Sequence, residues 1–203
     1  VGANVGYYTL LAAALVGETG AVHSFEPTPR TYGILKENTG SKKNVVLNQT
    51  ALLDEEKSLE ITDFGVRHGG LNSLLAWEEL PAGFRDLQKR EHIKVQKIPV
   101  RAITLDQYCS QKKLYPTFIK MDTEGTELFV LRGAKEMLAQ RHPTLALEAW
   151  WDLEKRQNFY QIIDFLGSFS YRPYEIGRDF KLIPYHKGEE LECPNVIFLP
   201  ERS

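Results

Sequence analysis

Cysteine is scarce in this chain, with two residues among 203, and they stand far apart at Cys109 and Cys193. A disulfide-stapled domain needs more cysteines and a structural zinc site needs closely spaced ones, so both classes are excluded. Two distant cysteines are typical of reduced thiols, which predicts a cytoplasmic protein. The histidines are isolated as well, without the spacing of metal ligands on a helix, and we expect no metal site.

Long apolar runs and a strong charge of one sign are also lacking. No run reaches the length of a membrane-spanning helix, and the chain opens on Val1 without the basic segment of a secretory leader. The formal net charge is −2, which gives no electrostatic reason to expect nucleic acid or an anionic membrane as partner. Hydrophobic residues make up 42% and charged residues 26%, which indicates an ordinary globular domain.

Short apolar segments alternate with helical patterns along most of the chain, which is typical of parallel βαβ units. We therefore predict a single α/β domain over residues 1–203, with a doubly wound, mostly parallel sheet and an antiparallel edge near its C-terminus. Residues 54–103 break the alternation and are interpreted as an insertion. A helix that begins near Gly6 normally follows a strand, and only Val1 represents it, so we expect the first, central strand to lie further upstream.

A glycine-rich turn over residues 2–6, of sequence GANVG, precedes the first predicted helix. Small residues let a ligand approach the backbone, and a helix N-terminus attracts a carboxylate or a phosphate. The dinucleotide fingerprint G-x-G-x-x-G would need glycines where Asn4 and Tyr7 stand, which disfavours NAD and FAD. A plain tight turn is the alternative interpretation.

Glu26 stands twenty residues after Gly6, at the end of the second predicted strand. A carboxylate at this position can accept hydrogen bonds from both hydroxyls of a ribose. Pro27 holds Glu26 extended, and we expect Thr28 to cap the next helix, so capping does not account for Glu26. A glycine loop followed by a ribose-binding acid fits a nucleoside that carries a small zwitterion, which is the chemistry of S-adenosylmethionine.

A second group of acids, Asp122, Glu124 and Glu127, follows another predicted buried strand. Ligands of open α/β sheets bind beyond the carboxyl ends of the strands, which favours a site role for Asp122. Offsetting the helix dipole is the alternative for Glu124 and Glu127. The candidates for the base that deprotonates an acceptor are Asp122, Glu124, Glu148 and the loop residue His68, for which a solvated surface position is the alternative.

Three segments together resemble the FkbM-type methyltransferase family, namely residues 1–9, the triplet Phe25-Glu26-Pro27 and residues 119–134. The similarity extends over most of residues 1 to about 150. It implies a class I Rossmann-like methyltransferase fold with strand order 3-2-1-4-5-7-6 and an antiparallel seventh strand. It also implies methyl transfer from S-adenosylmethionine to a hydroxyl oxygen of a small molecule, a sugar or a lipid-linked glycan.

The resemblance also implies which residues bind the cofactor. The methionine end of the cofactor would lie at the glycine loop, and its ribose at Glu26. The adenine would be flanked by residues after the third strand. Positions 48–52 contain no acid that could bind the edge of the adenine. The implied cofactor residues are Gly2, Ala3, Asn4, Gly6, Glu26, Pro27, Thr50, Ala51 and Asp122. A nucleotide-sugar or NAD-dependent enzyme and a non-catalytic scaffold on a similar sheet remain as alternatives.

Overall fold

The computed structural model describes residues 1–64, 90, 95–149 and 153–201. For residues 153–156 it describes the backbone alone. Two compact units divide the chain, Val1–Ile103 and Thr104–Ser203, and each is described by itself. Among the described residues, no helix combines the length and apolar character needed to cross a membrane.

The first unit opens with alternating helices and parallel strands, as predicted. Its elements in chain order are α1 (Tyr7–Val16), β1 (Val22–Phe25), α2 (Pro29–Thr39) and β2 (Val45–Asn48). The two strands pair in parallel, with Val22 opposite Val45 and Phe25 opposite Asn48. Parallel pairing across a helical connection confirms a βαβ unit in this segment.

The apolar pattern predicts one strand, the third, over residues 45–52. This prediction is wrong, because the segment divides between two sheets. After β2 ends at Asn48, β3 (Ala51–Leu52) joins β5 (Gln96–Ile103), which also pairs with β4 (Lys57–Asp63). The pairing of β3 with β5 is parallel, and that of β4 with β5 is antiparallel. The antiparallel strands explain why the sequence pattern departs from βαβ alternation here.

The second unit is built on a five-stranded mixed sheet with the order β6-β7-β10-β8-β9. Strands β6 and β7 are parallel, β10 is antiparallel to both β7 and β8, and β9 is antiparallel to β8. The elements in chain order are α3 (Leu105–Lys112), β6 (Phe118–Met121), α4 (Glu127–Arg132), α5 (Lys135–Arg141), β7 (Thr144–Glu148), α6 (Leu153–Gly167), β8 (Tyr171–Ile176), β9 (Leu182–Pro184) and β10 (Asn195–Pro200).

This sheet reproduces part of the expected strand order. Strands β6, β7, β10 and β8 lie side by side as strands 4, 5, 7 and 6 of the expected order would, and β10 runs antiparallel like the expected seventh strand. The antiparallel strand β10 lies inside the sheet, whereas β9 forms its edge. The fold is therefore α/β with mixed sheets, and the doubly wound arrangement over the whole chain stays a prediction.

The core of the second unit surrounds the interior strand β7. Its residues Leu145, Ala146 and Leu147 are all buried, so both faces of the strand are covered. Phe198 of β10 and Met121 of β6 are completely buried in the neighbouring strands. Burial on both faces makes the two ends of these strands the places where polar side chains can reach a ligand.

Helix α3 has no counterpart in the sequence-based prediction. Its N-terminus is capped by Thr104, whose hydroxyl accepts a hydrogen bond from the Gln107 N–H at 3.0 Å. This Thr-x-x-Gln spacing is a capping signal that the sequence does carry. The sequence pattern predicts a helix over residues 126–140 with a break near Gly133. The break is confirmed, since α4 ends at Arg132 and α5 begins at Lys135.

Candidate functional site

The glycine loop, residues 2–6, forms a turn that ends where α1 begins. Gly2, Asn4 and Gly6 have φ angles of 71°, 48° and 102°, in the left-handed region that glycine enters without strain and asparagine tolerates. A β-carbon at Gly6 would also press on Leu35 of α2. The loop therefore needs its two outer glycines for its shape.

The amides of the glycine loop are hydrogen-bonded within the protein. Ala3 N–H donates to the Phe25 carbonyl at 2.9 Å, and Gly6 N–H donates to the Ala3 carbonyl at 3.0 Å. The side chain of Asn4 accepts from Val5 N–H at 2.8 Å. These bonds hold the loop in one shape, and α1 begins directly after it at Tyr7. A helix N-terminus can attract a negatively charged group.

Glu26 joins this loop to the turn between β1 and α2. Its Oε2 accepts a hydrogen bond from Asn4 N–H at 3.0 Å, and its Oε1 accepts one from Thr28 N–H at 3.0 Å. The side chain is buried, with 6% of its surface exposed. Burial raises the pKa of Glu26, while the hydrogen bonds from Thr28 and Asn4 oppose that rise.

Thr28 occupies the position before α2, and Pro29 is the first helical residue, as predicted. The capping role expected of the Thr28 side chain is wrong. Its hydroxyl makes no capping hydrogen bond to α2 and interacts with the Glu26 carboxylate instead. Pro27 stands between the two residues and is half-buried. Glu26 therefore has three donor groups around it, two from the backbone and one hydroxyl.

The residues expected near the adenine have structural contacts of their own. Thr50 Oγ1 donates to the Arg101 carbonyl at 2.8 Å, and Ala51 packs in a small buried cluster with Leu53 and Ala102. Asn48 donates from Nδ2 to the Ser24 carbonyl at 3.1 Å. These contacts fix the chain between β2 and β3, and the adenine role of Thr50 and Ala51 stays a prediction.

In the second unit, two acids follow neighbouring strands at the same end of the sheet. Asp122 comes directly after β6, and Glu148 is the last residue of β7. The strands are parallel with Met121 opposite Leu147, so the next residues along, Asp122 and Glu148, are brought together. Asp122 acts electrostatically on Glu148.

The pKa of Glu148 is raised to about 7, first by burial and next by the hydrogen bond and negative charge of Asp122. The positive charge of Lys120 acts in the opposite direction, and Glu127 adds a smaller rise. A carboxyl group whose pKa is near 7, such as that of Glu148, can gain or lose a proton at neutral pH, which is the property required of a general acid or base.

Lys120 is a member of this cluster that the sequence analysis did not select. Its Nζ lies 3.8 Å from Asp122 Oδ2 and donates to the Met121 carbonyl at 3.1 Å. Its side chain is 17% exposed and that of Asp122 31% exposed. The sequence did carry a signal for Lys120, because it stands two residues before Asp122 and residues two apart in a strand share one face.

The two other acids of this segment shape the turn between β6 and α4. Glu124 and Gly125 both have left-handed φ angles, of 55° and 101°. Glu127 is 2% exposed, and its Oε1 accepts from Thr123 N–H at 2.7 Å and from the Thr123 hydroxyl at 2.9 Å. Glu127 thus stabilises the start of α4, in line with the alternative interpretation given for it.

The remaining candidate base, His68, lies outside the described residues. Within residues 1–64, 95–149 and 157–201, no group of three or more His, Cys, Asp or Glu side chains is arranged to hold a metal ion.

Comparisons with known proteins identify the family. The family profile of the methyltransferase FkbM domain matches residues 1–173. The crystal structure of methyltransferase FkbM from Methylobacillus flagellatus KT is similar in fold, with a TM-score of 0.58 and 16% sequence identity over 98% of this chain and 41% of that one. The present chain thus spans less than half the length of that protein, and comparison with curated proteins gives no match. Because the family profile covers most of the sequence, the chain belongs to the FkbM methyltransferase domain family.

Proposed function

We propose that this protein transfers a methyl group from S-adenosylmethionine to a hydroxyl oxygen of a small molecule, a sugar or a glycolipid. Membership of the FkbM family supports the methyltransferase class over a nucleotide-sugar or NAD-dependent enzyme. The observation that carries the proposal is the hydrogen bond between Asn4 N–H and the buried carboxylate of Glu26, which joins the glycine loop to a single acid. S-adenosylmethionine, when bound, supplies an electrophilic methyl group on a sulfonium sulfur.

The hydrogen-bonding capacity of Glu26 fits a ribose. A carboxylate has about four acceptor sites, and the Asn4 amide with the amide and hydroxyl of Thr28 occupies three of them. One site is left for a ribose hydroxyl while the loop stays in place. A second ribose bond requires the Thr28 hydroxyl to give up its place at the carboxylate.

The glycine loop and α1 fit the amino-acid end of the same ligand. The Asn4 carboxamide oxygen accepts from Val5 N–H, which leaves its nitrogen as the end that can donate to a carboxylate. Leu10 N–H donates to the Gly6 carbonyl at the start of α1, and the backbone N–H groups in the first turn of a helix point toward a ligand placed at its N-terminus. The positive end of the α1 dipole favours a carboxylate there by about 0.3–1 kcal/mol.

The Asp122–Glu148 pair supplies the base in this proposal. An alcohol must lose its proton as its oxygen gains the methyl group, and a carboxylate within hydrogen-bond reach can accept that proton. Asp122 is the carboxylate that pairs with Lys120, and Glu148 holds the proton below neutral pH because its pKa is about 7. Alignment of the acceptor with the methyl group supplies the larger part of the rate.

A cytoplasmic location and the absence of nucleic-acid partners belong to the same proposal. Cys109 and Cys193 are free thiols, and burial raises the pKa of the Cys109 thiol to about 11, which keeps it unreactive at neutral pH. The net charge of −2 gives a nucleic acid no general attraction.

Transfer of a labelled methyl group from S-adenosylmethionine to a panel of sugars, glycolipids and small alcohols tests the proposed activity. We expect label in at least one hydroxyl acceptor. Binding of S-adenosylmethionine without transfer to any acceptor would instead indicate a scaffold. Thermal stabilisation by NAD or a UDP-sugar, with none by S-adenosylmethionine, would contradict the proposal altogether.

A further inference from the structure

The end of the glycine loop is held by side chains from the last turns of α2. Asn38 donates from Nδ2 to the Val5 carbonyl at 2.8 Å. A β-carbon added to Gly6 would meet the side chains of Leu35 and Thr39, which belong to the same part of the helix. The C-terminal part of α2 therefore supports the loop both by packing and by one directed hydrogen bond.

The peptide between Val5 and Gly6 needs such support, because a glycine follows it. A peptide group rotates by changing the ψ of the residue before it and the φ of the residue after it, and glycine accepts either sign of φ. Two hydrogen bonds set the orientation of this peptide. Its N–H donates to the Ala3 carbonyl at 3.0 Å, and its carbonyl accepts from Asn38.

These bonds belong to a continuous chain that runs from Asn38 to Glu26. In the peptide before Gly6, the carbonyl accepts from Asn38 and the N–H donates to the Ala3 carbonyl. In the peptide before Asn4, that Ala3 carbonyl is the acceptor and the N–H donates to Glu26 Oε2 at 3.0 Å. Hydrogen bonds linked in this way polarise and orient one another. The loop is thus fixed at one end by an acid and at the other by an amide.

We infer that Asn38 is a positioning residue of the S-adenosylmethionine site, acting on the glycine loop through this chain rather than by contact with the ligand. The effect on binding rests on the proposed function, whereas the effect on the loop does not. Asn38 is exposed on α2, so water can take its place as a donor and its loss costs the fold little. Affinity should therefore depend on Asn38 more than stability does.

Asn44 provides a matched control at the opposite end of α1. Its Nδ2 donates to the Ala13 carbonyl at 2.9 Å and to the Gly17 carbonyl at 2.8 Å. Asn44 thus makes the same kind of bond to the backbone, but at the end of α1 that lies away from the glycine loop. We expect Asn44→Ala to lower the urea denaturation midpoint and to leave the affinity for S-adenosylmethionine unchanged.

Calorimetric titration of S-adenosylmethionine tests the effect on binding. Asn38→Ala should raise the Kd about 3- to 10-fold, the range expected for one lost hydrogen bond. Asn38→Leu keeps about the size of the side chain without a donor and should raise it equally. Both variants should denature near the wild-type midpoint, because alanine and leucine are better helix formers than asparagine. Wild-type affinity in both variants would overturn the inference.

Amide hydrogen exchange of the ligand-free protein, followed by NMR, tests the effect on the loop independently. The N–H groups of Asn4 and Gly6 should exchange about 3- to 10-fold faster in Asn38→Ala and at wild-type rates in Asn44→Ala. Wild-type exchange at both amides in Asn38→Ala would overturn the inference as well. If the wild type does not bind S-adenosylmethionine, the proposed function fails, while the exchange rates still decide whether Asn38 orients the loop.

Discussion

A β-carbon placed on Gly6 would lie 2.8 Å from Leu35 Cδ1, because the loop before α1 packs directly against α2. Gly6 also has a φ of 102°, which an alanine adopts only with strain. We expect Gly6→Ala to lower the free energy of unfolding by about 2–4 kcal/mol, since the backbone and packing costs add. Urea denaturation followed by circular dichroism measures this loss.

Gly33 provides the matched control for that substitution. It lies within α2, and a β-carbon there would meet nothing within 4 Å. Gly33→Ala should therefore raise the free energy of unfolding by about 0.5–1 kcal/mol, since alanine is the better helix former. Equal effects of the two substitutions would show that the packing of the glycine loop on α2 is misassigned.

Asp106 stabilises a helix other than its own. Its two carboxylate oxygens accept from Glu136 N–H and Met137 N–H, each at 2.9 Å, in the first turn of α5. We expect Asp106→Ala to lower the free energy of unfolding by about 1–2 kcal/mol, the usual cost of a lost helix cap. Asp164→Ala, which removes an acid 73% exposed, should stay within about 0.5 kcal/mol of the wild type. A smaller loss for Asp106 than for Asp164 would refute the capping role.

Glu148 should make the stability of the protein depend on pH between about 4.5 and 7. The folded protein holds a proton on Glu148 up to a pKa of about 7, whereas the ordinary value is 4.5. The folded state therefore binds more protons in this window, so the free energy of unfolding should fall as the pH rises through it. Denaturation midpoints at pH 5, 6, 7 and 8 measure the slope.

Replacing Glu148 with glutamine isolates this contribution. A glutamine at position 148 cannot titrate, so the denaturation midpoints of the Glu148→Gln variant should decline less between pH 5 and pH 7 than those of the wild type. The matched variant Glu175→Gln removes one carboxyl group from β8 in the same unit, so it controls for the loss of a charge and should keep the wild-type slope. Identical slopes for wild type and Glu148→Gln would mean that Glu148 titrates normally.

The sequence was sufficient to predict a glycine turn before α1 and an acid at the end of β1, because both depend on local spacing. It did not predict the direct hydrogen bond from Asn4 N–H to Glu26. A turn that needs left-handed angles restricts residue choice, and the length of one helix and one strand sets the distance from Gly6 to Glu26. The same reasoning selected Asp122, which follows the apolar strand β6, and Glu148, which ends the apolar strand β7.

Features that depend on pairing between distant segments were not predictable in the same way. The division between β2 and β3 is decided by β5, whose Ile103 carbonyl accepts from Leu53 N–H at 3.0 Å some fifty residues away in sequence. The Thr28 side chain likewise interacts with the carboxylate of Glu26 rather than with the helix that Thr28 precedes. The cluster of Lys120 with Glu148 appears only when β6 and β7 are paired.

The central claim is that Glu26 and the glycine loop bind S-adenosylmethionine together. Isothermal titration calorimetry of S-adenosylmethionine with wild type, Glu26→Gln and Glu37→Gln tests it most directly, since Glu37 is an exposed acid on the neighbouring helix α2. We predict unchanged affinity for Glu37→Gln and a loss of about 1–3 kcal/mol, roughly 5- to 150-fold, for Glu26→Gln. Equal affinity of Glu26→Gln and the wild type, or no binding by the wild type, would contradict the account.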